Sequence, residues 1–197
     1  MTDTTLNYYN NNAETFIKGT VAVDFSDTQD KFLSLLSGKK ILDFGCGSGR
    51  DTKYFLEKDY EVTAIDGSVE LCKAASLYTG IEVKHMLFQE LDESAAYDGI
   101  WACSSILHLP KSELKEVFLK MSEALVPDGI IYTSFKHGTF EGDRNGRYFT
   151  DFTTETFASF IKDVKELVIR DQWITGDVRP GREDEKWLNL ILQKTNS

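Results

Sequence analysis

The chain has 197 residues, with 22 Lys and Arg against 32 Asp and Glu, for a formal net charge of -10 at neutral pH. That balance repels a phosphate backbone, so nucleic acid is a disfavoured partner; no apolar run reaches the ~18 residues of a membrane span. The length suits one domain with a sizeable core. The opening residues Met1–Asn12 carry neither a basic region nor an apolar one, and no secretory leader is expected. Cys46, Cys72 and Cys103 each fall inside an expected element without paired spacing, which reads as reduced thiols in a cytoplasmic protein. No Cys/His cluster has zinc spacing, and no metal is expected.

Two weak helical segments, Asn10–Lys18 and Ser26–Leu36, precede the first strand and are placed to form a lid. Lys40–Phe44 is the first strand, followed by a helix over about Gly49–Lys58. Strand two is Glu61–Ile65, ending at Asp66, and Ser68 caps a helix running to about Tyr78. Glu82–Leu87 and Tyr97–Ser104 are strands three and four. Lys111–Leu125 is a helix with Leu114, Val117, Phe118, Met121 and Leu125 on one face. Pro127-Asp128-Gly129 is a turn before strand five, Gly129–Phe135. Thr153–Ile161 is a helix, Val164–Trp173 strand six and Glu185–Gln193 strand seven. Thr175–Asp184 is short enough for an antiparallel hairpin. The expected fold is α/β: a seven-stranded, mostly parallel sheet with one antiparallel edge strand and helices on both faces.

The most informative stretch is Ile41-Leu42-Asp43-Phe44-Gly45-Cys46-Gly47-Ser48-Gly49-Arg50-Asp51-Thr52. A strand feeds a glycine turn that opens a helix, where nucleotide-like ligands lie against backbone. A dinucleotide loop would need glycine at position 50, which is Arg50. A carboxylate at Asp43 would repel a pyrophosphate, and suits a ligand with positive charge and no phosphate. Both features count against a nicotinamide oxidoreductase.

Three further motifs follow in order: Val62-Thr63-Ala64-Ile65-Asp66-Gly67-Ser68, Tyr97-Asp98-Gly99-Ile100-Trp101-Ala102-Cys103, and Leu125-Val126-Pro127-Asp128-Gly129-Ile130-Ile131. With these the chain resembles the class I S-adenosylmethionine-dependent methyltransferases, over roughly residues 39–194. The last motif looks like the family's L-x-P-G-G turn, with Asp128 where the family has glycine. The loops look closest to small-molecule methyltransferases of the tellurite-resistance type. The resemblance implies a Rossmann-like sheet with an N-terminal helical lid (1–37) on a methyltransferase domain (38–197), one structural domain overall. It implies S-adenosyl-L-methionine as cofactor.

By the same resemblance, the backbone at Gly45, Cys46, Gly47 and Gly49 approaches the donor closely, Asp43 holds its ammonium, and Asp66 accepts both ribose hydroxyls. Asp51, Thr52, Gly67 and Ser68, beside these positions, are expected to bind the donor as well. Gln89, Glu90 and Leu91 pass the adenine, with Phe88 beside them, and Cys103 with Ser104 faces the reacting methyl. Tyr9, in a Tyr-Tyr-Asn opening, closes over the donor. His108, Tyr148 and Arg147 are the candidates for catalysis, with His137 in a neighbouring loop. The segment from Lys136 to Phe149 reads as a long polar loop, unusually rich in Arg, Gly and aromatics for so acidic a chain. Arg144, Arg147, Arg179 and Arg182 form a cationic patch if this loop and the one around Pro180-Gly181 converge, and arginine grips a carboxylate or oxyanion by two hydrogen bonds. The expected reaction is methyl transfer to a small acceptor that is anionic or a soft nucleophile, by a monomer or homodimer. The alternatives are methylation of a protein or nucleic acid, and a non-catalytic donor-binding protein.

Overall fold

The structure is a computed structural model that describes residues 1–179, 181, 182 and 184–195. Three N-terminal helices, α1 (Asp3–Asn11), α2 (Ala13–Lys18) and α3 (Ser26–Leu33), precede β1 (Lys40–Phe44), α4 (Arg50–Glu57), β2 (Glu61–Asp66), α5 (Val69–Thr79), β3 (Val83–His85) and β4 (Tyr97–Ala102). Then come α6 (Lys111–Ala124), β5 (Leu125–Lys136), β6 (Glu141–Arg144), β7 (Arg147–Thr150), α7 (Thr154–Ile161), β8 (Leu167–Gly176) and β9 (Lys186–Lys194). The main sheet has seven strands in the order β3-β2-β1-β4-β5-β9-β8. β1 to β5 pair in parallel. β9 is antiparallel to both neighbours, so the one reversed strand lies next to the edge strand β8. No helix among the described residues is long and apolar enough to cross a membrane.

Helices cover both faces, so the central strands are buried on both sides. Alternation divides β1 and β4 between two cores. Leu42, Phe44, Ile100 and Ala102 point to the larger one, with Leu114, Val117, Phe118 and Met121 of α6 and Phe157 of α7. Ile41 and Trp101 point to the other, with Phe32 of α3 and Phe55 of α4. Each buried Leu, Ile, Val, Phe or Met side chain among them stabilises the fold by about 1.5–3 kcal/mol. The helix starts are capped as their sequences suggest: the Ser68 hydroxyl accepts from Leu71 N–H at 3.3 Å, and Thr153 from Thr156 N–H at 3.2 Å.

Several boundaries differ from expectation; strand six is shifted to Leu167–Gly176 and the second helical segment ends at Leu33. The first helix begins at Asp3, because the Thr2 hydroxyl caps it, and it breaks at Asn12. β5 begins at Leu125 and carries the Pro-Asp-Gly turn as an irregularity in its pairing with β4. There Asp128 sits at φ 62°, the left-handed conformation that explains glycine in the resembling motif. Strand three is only Val83–His85, and Phe88–Glu90 forms a short 3-10 turn. The expected polar loop from 136 to 149 folds as the hairpin β6–β7. Its turn is Asn145-Gly146, at φ 52° and 76°, a strong short-range hairpin signal that the run of Arg and Gly obscured.

Candidate functional site

The strand order reverses between β1 and β4, and ligands in such sheets bind beyond the carboxyl ends of the strands at that point. The loops after β1, β2, β4 and β5 wall a cavity of about 610 Å³ there, closed by the N-terminal helices, the β6–β7 hairpin and the β8–β9 connection. That volume falls within the ~300–1,000 Å³ of small-molecule sites.

Gly45, Gly47 and Gly49 take φ of 90°, 56° and 79°, a region costing a residue with a Cβ about 1–2 kcal/mol. Each also has its own packing demand. A Cβ at 45 would lie 2.5 Å from Ser105 Cβ, one at 47 would lie 3.0 Å from the Phe16 ring, and one at 49 would lie 2.9 Å from Thr79. The N–H groups of Gly45 and Cys46 donate to the Ile65 carbonyl at 3.0 and 2.9 Å, tying the turn to the end of β2.

Asp66 accepts from Gly47 N–H at 2.9 Å and from Ser68 N–H at 2.8 Å. Burial raises its carboxyl pKa, and those two hydrogen bonds pull the other way. Asp43 lies beneath the turn, 1% exposed, with the Thr52 hydroxyl donating to it at 2.5 Å. Burial, and after it the charge of Asp51, pushes the Asp43 pKa up to about 8. Asp51 accepts from Gln29 at 2.6 Å, from Arg50 at 2.7 and 2.9 Å and from the Trp101 indole at 2.8 Å. It thereby joins α3, α4 and β4 at one carboxylate.

On the opposite wall His108 is 3% exposed. Its Nδ1 is 2.6 Å from the Tyr148 carbonyl, which can only accept, so Nδ1 carries the proton. Nε2 is therefore the acceptor for the Tyr9 hydroxyl at 2.8 Å. Burial lowers the His108 pKa to about 4, with Arg147 and Arg144 adding to the effect and the Tyr148 carbonyl opposing it. Burial raises the Tyr9 pKa, against the pull of Arg147.

Most of the cations here are neutralised locally. Arg144 grips Asp151 at 2.9 and 3.2 Å, Arg179 grips Asp177 at 2.6 and 2.8 Å, and Lys136 pairs with Asp177 and Glu185. Arg182 reaches Glu185 at 3.7 Å. Arg147 differs. Among the described residues no carboxylate pairs with it; its guanidinium carbon lies 4.5 Å from the Tyr8 ring centre and 5.1 Å from that of Phe149. Its Nε is buried without a partner.

Residues 41–129 match the model of a methyltransferase domain. The fold matches the Burkholderia thailandensis 1,6-didemethyltoxoflavin-N1-methyltransferase, solved with 1,6-didemethyltoxoflavin and S-adenosylhomocysteine bound. The TM-score is 0.76 at 21% identity, covering 97% of this chain and 85% of that one. The chain is an S-adenosylmethionine-dependent methyltransferase. This methyltransferase is also 23% identical over 158 residues to a Staphylococcus carnosus protein named only as an uncharacterized methyltransferase, covering 75% of this chain and 76% of the other. It is 28% identical over 168 residues to the ubiquinone biosynthesis O-methyltransferase of Salmonella paratyphi A, covering 72% and 66%. Its cofactor is S-adenosylmethionine. The cavity suits that donor: Asp66 places a carboxylate on the wall for a hydroxyl-bearing molecule, beside the backbone of Gly45 and Gly47.

The methyltransferase brings Tyr9, Gly45, Cys46, Gly47, Asp51, Asp66, Ser68, Cys103, His108 and Arg147 together on the cavity wall. Asp43 and Thr52 sit below it, Gly49 packs α4 on α5, and Gly67 lies under Leu6. Gln89 turns to Glu113, Glu90 accepts from Leu87 N–H at 2.7 Å, and Leu91 is in the core. The Tyr148 side chain leaves the cavity: β7 alternates, so Arg147 and Phe149 face inward while the Tyr148 hydroxyl reaches Glu141 at 3.3 Å. Phe16, Phe25, Arg50 and Asn189 line the cavity without having been singled out as site residues. Only Arg50 had a local signal, its place in the glycine motif. Pro180 and Glu183 lie outside the described residues.

Proposed function

We propose that this methyltransferase modifies a small acceptor carrying an anionic group, by in-line transfer. The carrying observation is Arg147: a cavity-lining cation with no carboxylate partner among the described residues, set against aromatic rings while its neighbours are paired. Two of the similar proteins are named for small-molecule substrates or products, which agrees with this reading.

In this reading Asp66 accepts the donor's ribose hydroxyls, the backbone at Gly45 and Gly47 passes its amino-acid end, and Asp43 supports the turn from below. When bound, S-adenosylmethionine supplies a methyl group on a cationic sulfur, already activated for displacement. The chain contributes position and dryness. Tyr9 and Phe16 cover the glycine turn, Phe149 and Tyr8 hold the guanidinium of Arg147, and Arg147 draws the acceptor's anion to the hairpin side.

The test is calorimetric titration of benzoate into protein saturated with S-adenosylhomocysteine. Arg147→Gln is expected to weaken benzoate binding at least about tenfold (~1.4 kcal/mol) and to leave S-adenosylhomocysteine affinity unchanged. A loss of S-adenosylhomocysteine affinity with benzoate unaffected would assign Arg147 to the donor and overturn the reading.

A further inference from the structure

We propose that Tyr9 and His108 form a two-member proton relay, switched on when the acceptor's anionic group settles on Arg147. The Tyr9 hydroxyl takes the proton of the acceptor's nucleophile and passes its own to Nε2 of His108. The inference rests on the anionic-acceptor reading and narrows it. The acceptor carries an O–H or N–H nucleophile and, elsewhere on the same molecule, an anion.

The geometry is already set. The Tyr148 carbonyl fixes the proton on Nδ1, so the Nε2 lone pair points at the Tyr9 hydroxyl across 2.8 Å. Both side chains line the cavity and both are nearly closed off from outer solvent, at 9% and 3% exposure. Arg147 lies beside the same hydroxyl and favours its ionised form. The hydroxyl thus stands between a cation that stabilises negative charge on oxygen and an imidazole nitrogen free to take its proton. Holding α1 in place does not by itself require this pair. Thr5 already accepts from Tyr148 N–H at 2.9 Å on one side, and Asn10 accepts from the Ser68 hydroxyl at 2.7 Å on the other.

The charges around the pair explain the switch. Arg147 and Arg144 on the hairpin, together with the chain's amino terminus, bear on His108. Asp66 at the end of β2 and Tyr8 on α1 bear on Tyr9, which in turn faces Arg179 from the β8–β9 connection. Without an anion, burial and these cations keep His108 neutral and reluctant to gain charge. An anion against Arg147 cancels the nearest of them. In the transfer, the acceptor atom gives up its proton and bonds the methyl carbon, and the electron pair of the old carbon–sulfur bond stays on sulfur. The proton ends on His108, so one positive charge in the site replaces another, and it returns to water after the product leaves.

The probe is 4-hydroxy-3-nitrobenzoate, a carboxylate whose nitrophenol absorbs differently when ionised, titrated into protein saturated with S-adenosylhomocysteine. Bound to the wild type it is expected to show an ionised-to-neutral ratio about tenfold above that of free probe at the same pH, one pKa unit. Tyr9→Phe and His108→Gln are expected to bind it within about twofold of wild type, judged against that unit, and to leave its ionisation as in water. Wild-type ionisation in Tyr9→Phe overturns the relay and leaves the anionic-acceptor reading intact. Failure of the wild type to bind the probe, or undiminished binding by Arg147→Gln, overturns the anionic-acceptor reading itself.

Discussion

At the scale of single residues, the glycine-turn side of the cavity holds the buried carboxyls of Asp43 and Asp66, on each of which burial is the largest influence. Asp43 shows the consequence most clearly: 1% exposed and raised to about 8, it stays protonated through neutral pH. The linkage has a definite sign. A carboxyl raised above its unfolded value stabilises the fold fully below ~3.9, and that contribution is lost as pH climbs toward its folded value. Asp43→Asn has no proton to lose. Its melting temperature should therefore gain on the wild type as pH rises from about 4 to about 8 and hold a constant lead above that, a difference on the order of a few kcal/mol, measured by thermal denaturation across the range. A lead that does not grow with pH would mean that Asp43 is ionised in the fold at neutral pH. Cys103 follows the same logic: burial pushes its thiol up to about 12, so it lines the cavity as a neutral group.

Among the elements, the β6–β7 hairpin closes one side of the cavity and carries Arg147, on which the proposed acceptor site rests. Its register sets Arg144 against Arg147 and Asp143 against Tyr148, and the alternation of β7 turns Arg147 and Phe149 inward. The Asn145-Gly146 turn maintains that register, and Gly146 at φ 76° tolerates no β-branched side chain cheaply. Gly146→Val should cost the hairpin about 1–2 kcal/mol or more and weaken benzoate binding. S-adenosylhomocysteine affinity should hold, because the glycine turn is on the far wall; titration of both ligands checks this. The elements before and after the hairpin were legible from sequence because their signals are local: apolar alternation in β1 and β4, the spaced apolar face of α6, caps at Ser68 and Thr153. The hairpin's own pattern was masked by polar residues on both of its faces.

For the whole molecule, the N-terminal helices are the part whose role depends most on assembly. Tyr9 reaches His108, Thr5 reaches Tyr148, Asn10 reaches Ser68 and Phe16 covers Gly47, so one short segment touches both walls of the cavity. The core does not depend on it. Phe32 of α3, fully buried against Trp101 and Phe55, lies beyond residue 20. Removing residues 1–20 is expected to leave a cooperative unfolding transition and to raise the S-adenosylhomocysteine dissociation constant at least about tenfold (~1.4 kcal/mol). Unchanged affinity would remove the lid role from this segment.

The order of strands and the glycine turn with its adjacent carboxyls follow from residues close together in the chain. Turn conformation, helix capping and strand alternation are short-range physics. Tertiary structure alone decided which charges remain unpaired. Arg144, Arg147 and Arg179 look alike in sequence; Arg179 pairs with Asp177 two residues away, folding supplies Asp151 to Arg144, and Arg147 is left to the cavity. It likewise brought Tyr9 to His108 across the whole N-terminal half, because a hydrogen bond depends on distance in space. The glycine-turn side of the cavity is thus largely written in local sequence, and its hairpin side is a product of long-range packing.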